Sequence, residues 1–289
     1  MSLPGIILVA FTPGLFWLWF FARRHAYRPG PKSLLAFTFV LGMLSTVPAG
    51  VLNTLLLDES VLNPGASLFT VAMGMLLVVG PVEETSKLLA VWIGPRRSLY
   101  FDEPLDAFVY AAAASLGFAS LENVLYVMQF GPEVMLLRAP TSTVGHVVFS
   151  GFWAFALAGR LPGGRQERIP LLAGLAASAV AHGLFNVFVF AQPLVAIGGL
   201  VFGLLYLLRR YEWAQLVSPF RHRRNVPFRR CPECRRLVRM HHSFCRYCGH
   251  PLFGEPDTLI CGNCRTASRP YASFCTYCGD QLLQDPPHN

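Results

Sequence analysis

Long apolar runs separated by short polar joints fill the first 210 residues of the 289-residue chain. They predict an all-α polytopic membrane domain of about seven transmembrane helices, at 3–22, 34–57, 67–93, 105–130, 140–159, 170–190 and 193–208. Each run is near the roughly 20 residues a helix needs to cross a ~30 Å hydrocarbon layer. Only Gln192-Pro193 separates the last two runs, so six is the alternative count. The first run, LPGIILVAFTPGLFWLWFFA, has no basic segment before it and no small-residue cleavage site after it, and reads as a retained helix.

Charge sets an orientation on this pattern. Only 14% of the residues are charged, against about 25% in soluble domains. Arg23, Arg24, Arg28 and Lys32 follow the first run, and Arg96 and Arg97 the third. Arg160, Arg165 and Arg168 follow the fifth, and Arg209 and Arg210 the last. The alternate joints hold only Arg138. By the positive-inside rule the N-terminus lies outside and the C-terminal tail in the cytoplasm. Residues 209–289 carry thirteen Arg, six acids and no Lys, so +7 of the formal +8 lies there.

Polar side chains interrupt the middle runs where lipid would not tolerate them. Run three carries Glu83, Glu84 and Lys87; run four carries Asp106, Tyr110, Glu122, Asn123 and Tyr126. Run five holds His146 and Ser150, and run six His182 and Asn186. Glu83/Lys87, Asp106/Tyr110, Glu122/Tyr126, His146/Ser150 and His182/Asn186 are all i, i+4 pairs, so each shares a helix face. A charged group at the bilayer centre costs about 2.5–3.5 kcal/mol on insertion scales, and such groups normally face protein or water. Four consecutive helices are therefore expected to bury their polar faces against one another. Asp106, near a membrane boundary, reads as a snorkelling residue. Gly80-Pro81 predicts a break or kink in run three, and Ala111–Ala114, Gly117 and Ala119 a close helix approach.

The set suits water activation. A buried Glu can take a proton from water, a His can protonate a leaving amine, and an Asn or second His can stabilise an oxyanion. Glu with two His also matches a catalytic zinc shell, although no HExxH occurs. The motifs Glu83-Glu84-xx-Lys87, Phe118-xxx-Glu122, His146-xxx-Ser150 and His182-xxx-Asn186 resemble those of the PrsW family of intramembrane proteases, related to the CAAX prenyl endopeptidase group. The resemblance spans about 67–190. It implies hydrolysis of a peptide bond in a membrane-anchored protein substrate, release of anti-sigma factors being the family's familiar example. It implies catalytic roles for Glu83, Glu84, Glu122, His146 and His182, supported by Lys87, Asn123, Tyr126, Ser150 and Asn186. Glutamate-type and metallo-type chemistry both stay open, and the CAAX group usually carries His where this chain has Glu122.

The tail repeats itself. Cys231-Pro-Glu-Cys234 and Cys245-Arg-Tyr-Cys248 recur, offset by 30 residues, as Cys261-Gly-Asn-Cys264 and Cys275-Thr-Tyr-Cys278. Paired CxxC knuckles bring four thiolates to one tetrahedral zinc, and the tail resembles a double zinc ribbon with two structural zinc ions. In a reducing cytoplasm disulfides are disfavoured. The domains are then 1–210, a basic juxtamembrane linker at 211–229, and ribbons at 230–250 and 260–280 within 230–289. Zinc with four thiolates carries −2, which lowers the tail's charge and argues against a nucleic-acid partner. The linker arginines Arg221, Arg223, Arg224, Arg229 and Arg230 suit anionic lipid headgroups of the bilayer, while the ribbons suit a protein partner. His241 and His242 read as surface residues between knuckles.

Two other classes compete with the peptidase. A proton- or ion-coupled transporter also uses buried Glu, Asp and His, but no inverted repeat of broken segments is evident. A membrane-tethered zinc-ribbon adaptor would use the helices only as an anchor. Neither accounts for four helices sharing one polar set.

Overall fold

The computed structural model describes residues 2–25, 27–63, 65–161, 163–164, 169–220, 228–239, 244–245, 247–252, 259–264, 267–268, 275 and 282. The chain forms two compact units, Met1–Arg224 and Asn225–Asn289.

The first unit is helical: α1 (Leu3–Arg23), α2 (Lys32–Leu56), α3 (Leu68–Gly74), α4 (Gly80–Ile93), α5 (Pro104–Phe130), α6 (Met135–Arg138), α7 (Ser142–Ala158), α8 (Leu171–Ala191) and α9 (Pro193–Leu216). Among the described residues, and with α3 and α4 counted as one span, six helices are long and apolar enough to cross a membrane. The seventh span is α7, which reaches that length only with the preceding turn, across a 43° bend. The doubt about the count therefore sits at α7 and not at Gln192-Pro193. There Gln192 leaves helical geometry (φ −148°, ψ 74°) and Pro193 opens α9, the position where a missing N–H costs least.

Helix α5 is the axis. It is buried from Pro104 to Ser120, and α1, α2 and α7 pack against it. Small residues make this possible. A Cβ at Gly117 would overlap the Phe39 carbonyl of α2, and one at Gly42 the Ala114 carbonyl of α5. Backbone meets backbone there, as small-residue stripes allow in membrane bundles. Large apolar side chains such as Leu8, Leu55, Phe69, Leu194 and Phe202 point outward instead, toward the lipid.

Span three carries an irregularity that the kink expectation anticipated only in part. A π-helical turn, Met75–Val79, joins α3 to α4 immediately before Gly80-Pro81. Pro81 has no N–H to give Leu77, and its ring would press on that carbonyl; the wider turn moves the carbonyl aside. Asp106 does not snorkel. It is 1% exposed, and its Oδ2 accepts from the Asp102 and Glu103 backbone N–H groups at 2.9 Å each, capping α5.

The second unit contains two short hairpins. β1 (Phe228–Arg230) pairs antiparallel with β2 (Leu237–Arg239), Phe228 opposite Arg239. β3 (Leu259–Ile260) pairs with β4 (Ala267–Ser268), Leu259 opposite Ser268. Cys231-Pro-Glu-Cys234 and Cys261-Gly-Asn-Cys264 form the turns that follow β1 and β3.

Candidate active site

Glu84 on α4 is the hub of the buried polar groups. Its Oε1 accepts from Lys87 Nζ at 2.7 Å and lies 3.0 Å from His182 Nδ1 on α8. Its Oε2 accepts from Ser150 Oγ at 2.7 Å and Trp153 Nε1 at 3.1 Å, both on α7. Ser115 on α5 in turn donates to Ser150 at 2.8 Å. Glu84 and Lys87 are both fully buried. With each carboxylate oxygen holding two partners, Glu84 fixes the geometry of three helices.

Lys87 also places its ammonium 2.8 Å from His146 Nδ1 and 4.7 Å above the Phe118 ring. An ammonium can only donate, so His146 Nδ1 is the acceptor. The proton of His146 then sits on Nε2, which faces Glu122 Oε2 at 2.9 Å. Glu122 is held a second time by Arg138 Nη2 at 2.6 Å. Arg138 Nε donates to Asn123 Oδ1 at 2.8 Å, and its guanidinium lies 3.7 Å from the Tyr126 ring centroid. Asn123 spends its amide on Ala10 O and Thr143 Oγ1. Both nitrogens of His146 are thus engaged.

Glu83 is different. It is 6% exposed, and its Oε1 accepts from Asn53 Nδ2 of α2 at 3.3 Å. Its Oε2 is buried without a hydrogen-bond partner among the described residues, and lies 3.6 Å from His182 Nε2. Because Glu84 takes the Nδ1 proton of His182, Nε2 presents a lone pair toward that oxygen. The Phe149 ring stacks on His182 with centroids 5.0 Å apart and keeps the imidazole in place.

The structure therefore brings Glu83, Glu84, Lys87, Glu122, His146, Ser150 and His182 into one connected cluster, with Asn123 and Tyr126 attached through Arg138. Asn186, one turn past His182, is half-buried and makes none of these contacts. Three contributors escaped the sequence reading. Arg138 had counted only as the one basic residue of the alternate joints, and Trp153 and Asn53 had been given no role.

In the tail, Cys231, Cys234, Cys245 and Cys248 each offer a sulfur within 4.8 Å of the others, and Cys261, Cys264 and Cys275 do the same. The fourth residue of the second set, Cys278, lies outside the described residues, as do His241, His242, Arg221, Arg223 and Arg224. Sulfur separations of 3.8 Å (Cys231–Cys248), 3.5 Å (Cys234–Cys245) and 3.4 Å (Cys264–Cys275) approach the roughly 3.8 Å edge of a tetrahedron with Zn–S near 2.3 Å. Burial raises the Cys245 thiol, but the Tyr247 and Cys248 backbone N–H groups outweigh it and pull it down to about 6.

An apolar-coated helical bundle with a carboxylate–imidazole pair sealed inside it, joined to thiol-lined hairpins, is the architecture of an intramembrane peptidase with a zinc-ribbon appendage. The profile described as PrsW family intramembrane metalloprotease matches residues 30–209, and that of the double zinc ribbon residues 231–279. The chain belongs to the PrsW family. It is similar to Protease PrsW of Geobacillus kaustophilus, 29% identical over 189 residues, covering 65% of this chain and 81% of that protein. Protease PrsW of Bacillus subtilis is 29% identical over 183 residues, covering 63% and 81%. No solved structure matches the chain. The protein is thus an integral membrane peptidase.

Proposed function

We propose that this peptidase cleaves a membrane-anchored protein, using Glu83 as the base that activates water. The observation that carries the reading is the pair of acceptors facing each other, the unpartnered Glu83 Oε2 and the His182 Nε2 lone pair, 3.6 Å apart. A water with both hydrogens so directed attacks the scissile carbonyl as Glu83 takes its proton, and Glu83 then returns that proton to the leaving amine. Glu84 acts at one remove: it holds His182 in the tautomer that leaves Nε2 unprotonated. Lys87 and Glu122 hold His146 beside it, with the two imidazole centroids 5.1 Å apart. Asn53, whose Nδ2 reaches Glu83 Oε1, is an amide donor beside the site for a developing oxyanion.

A catalytic metal fits this donor set incompletely. Glu83, His146 and His182 each offer an atom within 4.8 Å of the other two, and the Glu84 carboxylate at His182 Nδ1 orients that imidazole as a carboxylate commonly orients a metal-bound histidine. His146, however, would have to give up either Lys87 or Glu122, and Lys87 would keep an ammonium beside the ion. The tail is read as holding two structural zinc ions, one per ribbon, and facing the cytoplasm with the basic linker against the inner leaflet. Its distribution of charge supports that topology. The substrate class follows the family, in which anti-sigma factor release is the familiar case.

The test is a cleavage assay in liposomes with a single-pass membrane substrate. Glu83→Gln keeps shape and volume but removes the base, and is expected to lower the rate by about 10³-fold or more, within the range that a base and the site around it supply. Full activity in Glu83→Gln, with protein folded and inserted, would transfer the role elsewhere.

A further inference from the structure

A second buried cluster lies at the other end of α5. His25, just past α1, places Nε2 2.8 Å from Glu103 Oε1 and 3.5 Å from Asp106 Oδ1. His25, Glu103 and Asp106 are 6%, 0% and 1% exposed. The Glu103 N-cap is nineteen positions before Glu122, or roughly 28 Å along a helix, so this cluster is separate from the peptidase site.

Hydrogen bonding does not account for its geometry. One imidazole Nε2–H can serve one carboxylate oxygen, and Glu103 Oε1 is the nearer. Asp106 has committed Oδ2 to the backbone of Asp102 and Glu103. Its Oδ1, buried and aimed at the same imidazole nitrogen, has no hydrogen-bond partner among the described residues. Leaving a buried carboxylate oxygen unmet costs several times what an ordinary hydrogen bond gains, and a second carboxylate beside it adds repulsion. A cation at the point where the three atoms converge removes both costs.

The geometry points to a divalent metal site formed by His25 Nε2, Glu103 Oε1 and Asp106 Oδ1. The three atoms lie within 4.8 Å of one another, and the two separations from His25 Nε2, 2.8 and 3.5 Å, bracket the roughly 3.4 Å expected between ligands about 2.1 Å from a tetrahedral ion. One imidazole and two carboxylates select a borderline or hard first-row cation such as Zn²⁺ or Mn²⁺, in contrast to the all-thiolate ribbons. Glu103 also bears Ser218 on its other oxygen, just past α9, and the Ser218 hydroxyl accepts from the Phe220 backbone at 3.1 Å. An ion here therefore fastens the end of α1 to the start of α5 and, through Glu103, to the segment leaving the last helix.

The experiment uses the full-length protein in detergent with its ribbons loaded with zinc. Bound Mn²⁺ is read by loss of the free-ion electron paramagnetic resonance signal, and zinc content is measured in parallel. Wild type should bind about one more Mn²⁺ or Zn²⁺ ion per chain than His25→Gln, in which Gln can still bond Glu103 but coordinates poorly. His182→Ala should retain the extra ion. His25→Cys, exchanging imidazole for thiolate, should lose Mn²⁺ and keep Zn²⁺. Equal content of both metals in wild type and His25→Gln overturns the site, whether or not both hold an ion beyond the ribbons. Loss in His182→Ala but not in His25→Gln also overturns it, because the ion then belongs to the peptidase centre.

Discussion

The helical unit and the ribbon unit bury charge-bearing groups by opposite means. In the bundle, Glu84 and Lys87 lie in an interior whose core runs through large side chains from every long helix, including Phe21, Phe108, Trp153 and Tyr211. In the first ribbon the buried cluster consists of Cys231, Val238, Cys245 and Leu252, and in the second of Cys261, Cys275 and Leu282. Among the described residues the aliphatic core is Val238 and Leu252 in the first ribbon and Leu282 in the second, too little to offset the conformational entropy of even a short chain. The cysteines make up the rest of that core, and four thiols at zinc-binding spacing are expected to close it around an ion. Protein packing comes first in the bundle and creates the polar site; in the ribbons the polar site comes first and creates the packing.

Removing zinc should break that comparison most sharply. Structural zinc sites in small fingers supply about 10–16 kcal/mol of apparent binding free energy at neutral pH. Strong chelation should therefore unfold the ribbons entirely while leaving α1–α9 in place. The expected readout is amide hydrogen exchange: full loss of protection in β1–β4 and unchanged protection across α5. Protected ribbons after verified zinc loss would mean that they carry a core of their own.

How much of this was legible beforehand divides along the same line. The ribbons could be recognised as a double zinc ribbon from four thiols at fixed spacing, and the described thiols converge as that spacing requires, while the hairpins that carry them were not read. The helices could be read as runs, and the i, i+4 pairs identified which face of each turns inward. Which side chain meets which across the bundle could not be read, since that depends on crossings such as Gly42–Ala114 and Gly117–Phe39. Glu83 and Glu84 are neighbours in sequence but about 100° apart around α4. Only packing distinguishes the fully bonded one from the one with an oxygen unmet. Arg138 was misjudged for the same reason: its sequence context is a loop, yet the bend before α7 folds it onto Glu122. The π turn was hidden because MLLVV is as apolar as any regular helix.

Within the bundle, the next largest effect should come from Lys87. Lys87→Met removes the ammonium from Glu84, leaving that buried carboxylate beside His182 without its cation, and should destabilise the helical unit by about 3–5 kcal/mol, the usual cost of breaking a buried pair. The double variant Glu84→Gln/Lys87→Met removes both charges and should recover much of that loss. Reversible unfolding in mixed detergent would measure both. If the double variant is no more stable than the single, the pair is not coupled and the hub assigned to Glu84 dissolves into separate contacts.

The smallest of these effects separates orientation from shape. Trp153 is fully buried and donates its indole N–H to Glu84 Oε2 at 3.1 Å, sharing that oxygen with Ser150 at 2.7 Å. Trp153→Phe deletes the donor along with part of the ring, so lost packing alone should cost about 1–2 kcal/mol, and the hydrogen bond to a charged group a further ~1.5–3. Ser150→Ala deletes the shorter bond, and with it the acceptor of the Ser115 hydroxyl, with almost no change in volume, so its cost is polar and not one of packing. If Glu84 positions His182 through a fully occupied carboxylate, Ser150→Ala should lower the cleavage rate more than it lowers stability, because a partly freed Glu84 swings away from His182 Nδ1. Equal losses in rate and stability would instead make the hydroxyl a packing element, on the same footing as the aliphatic residues that close the ribbons.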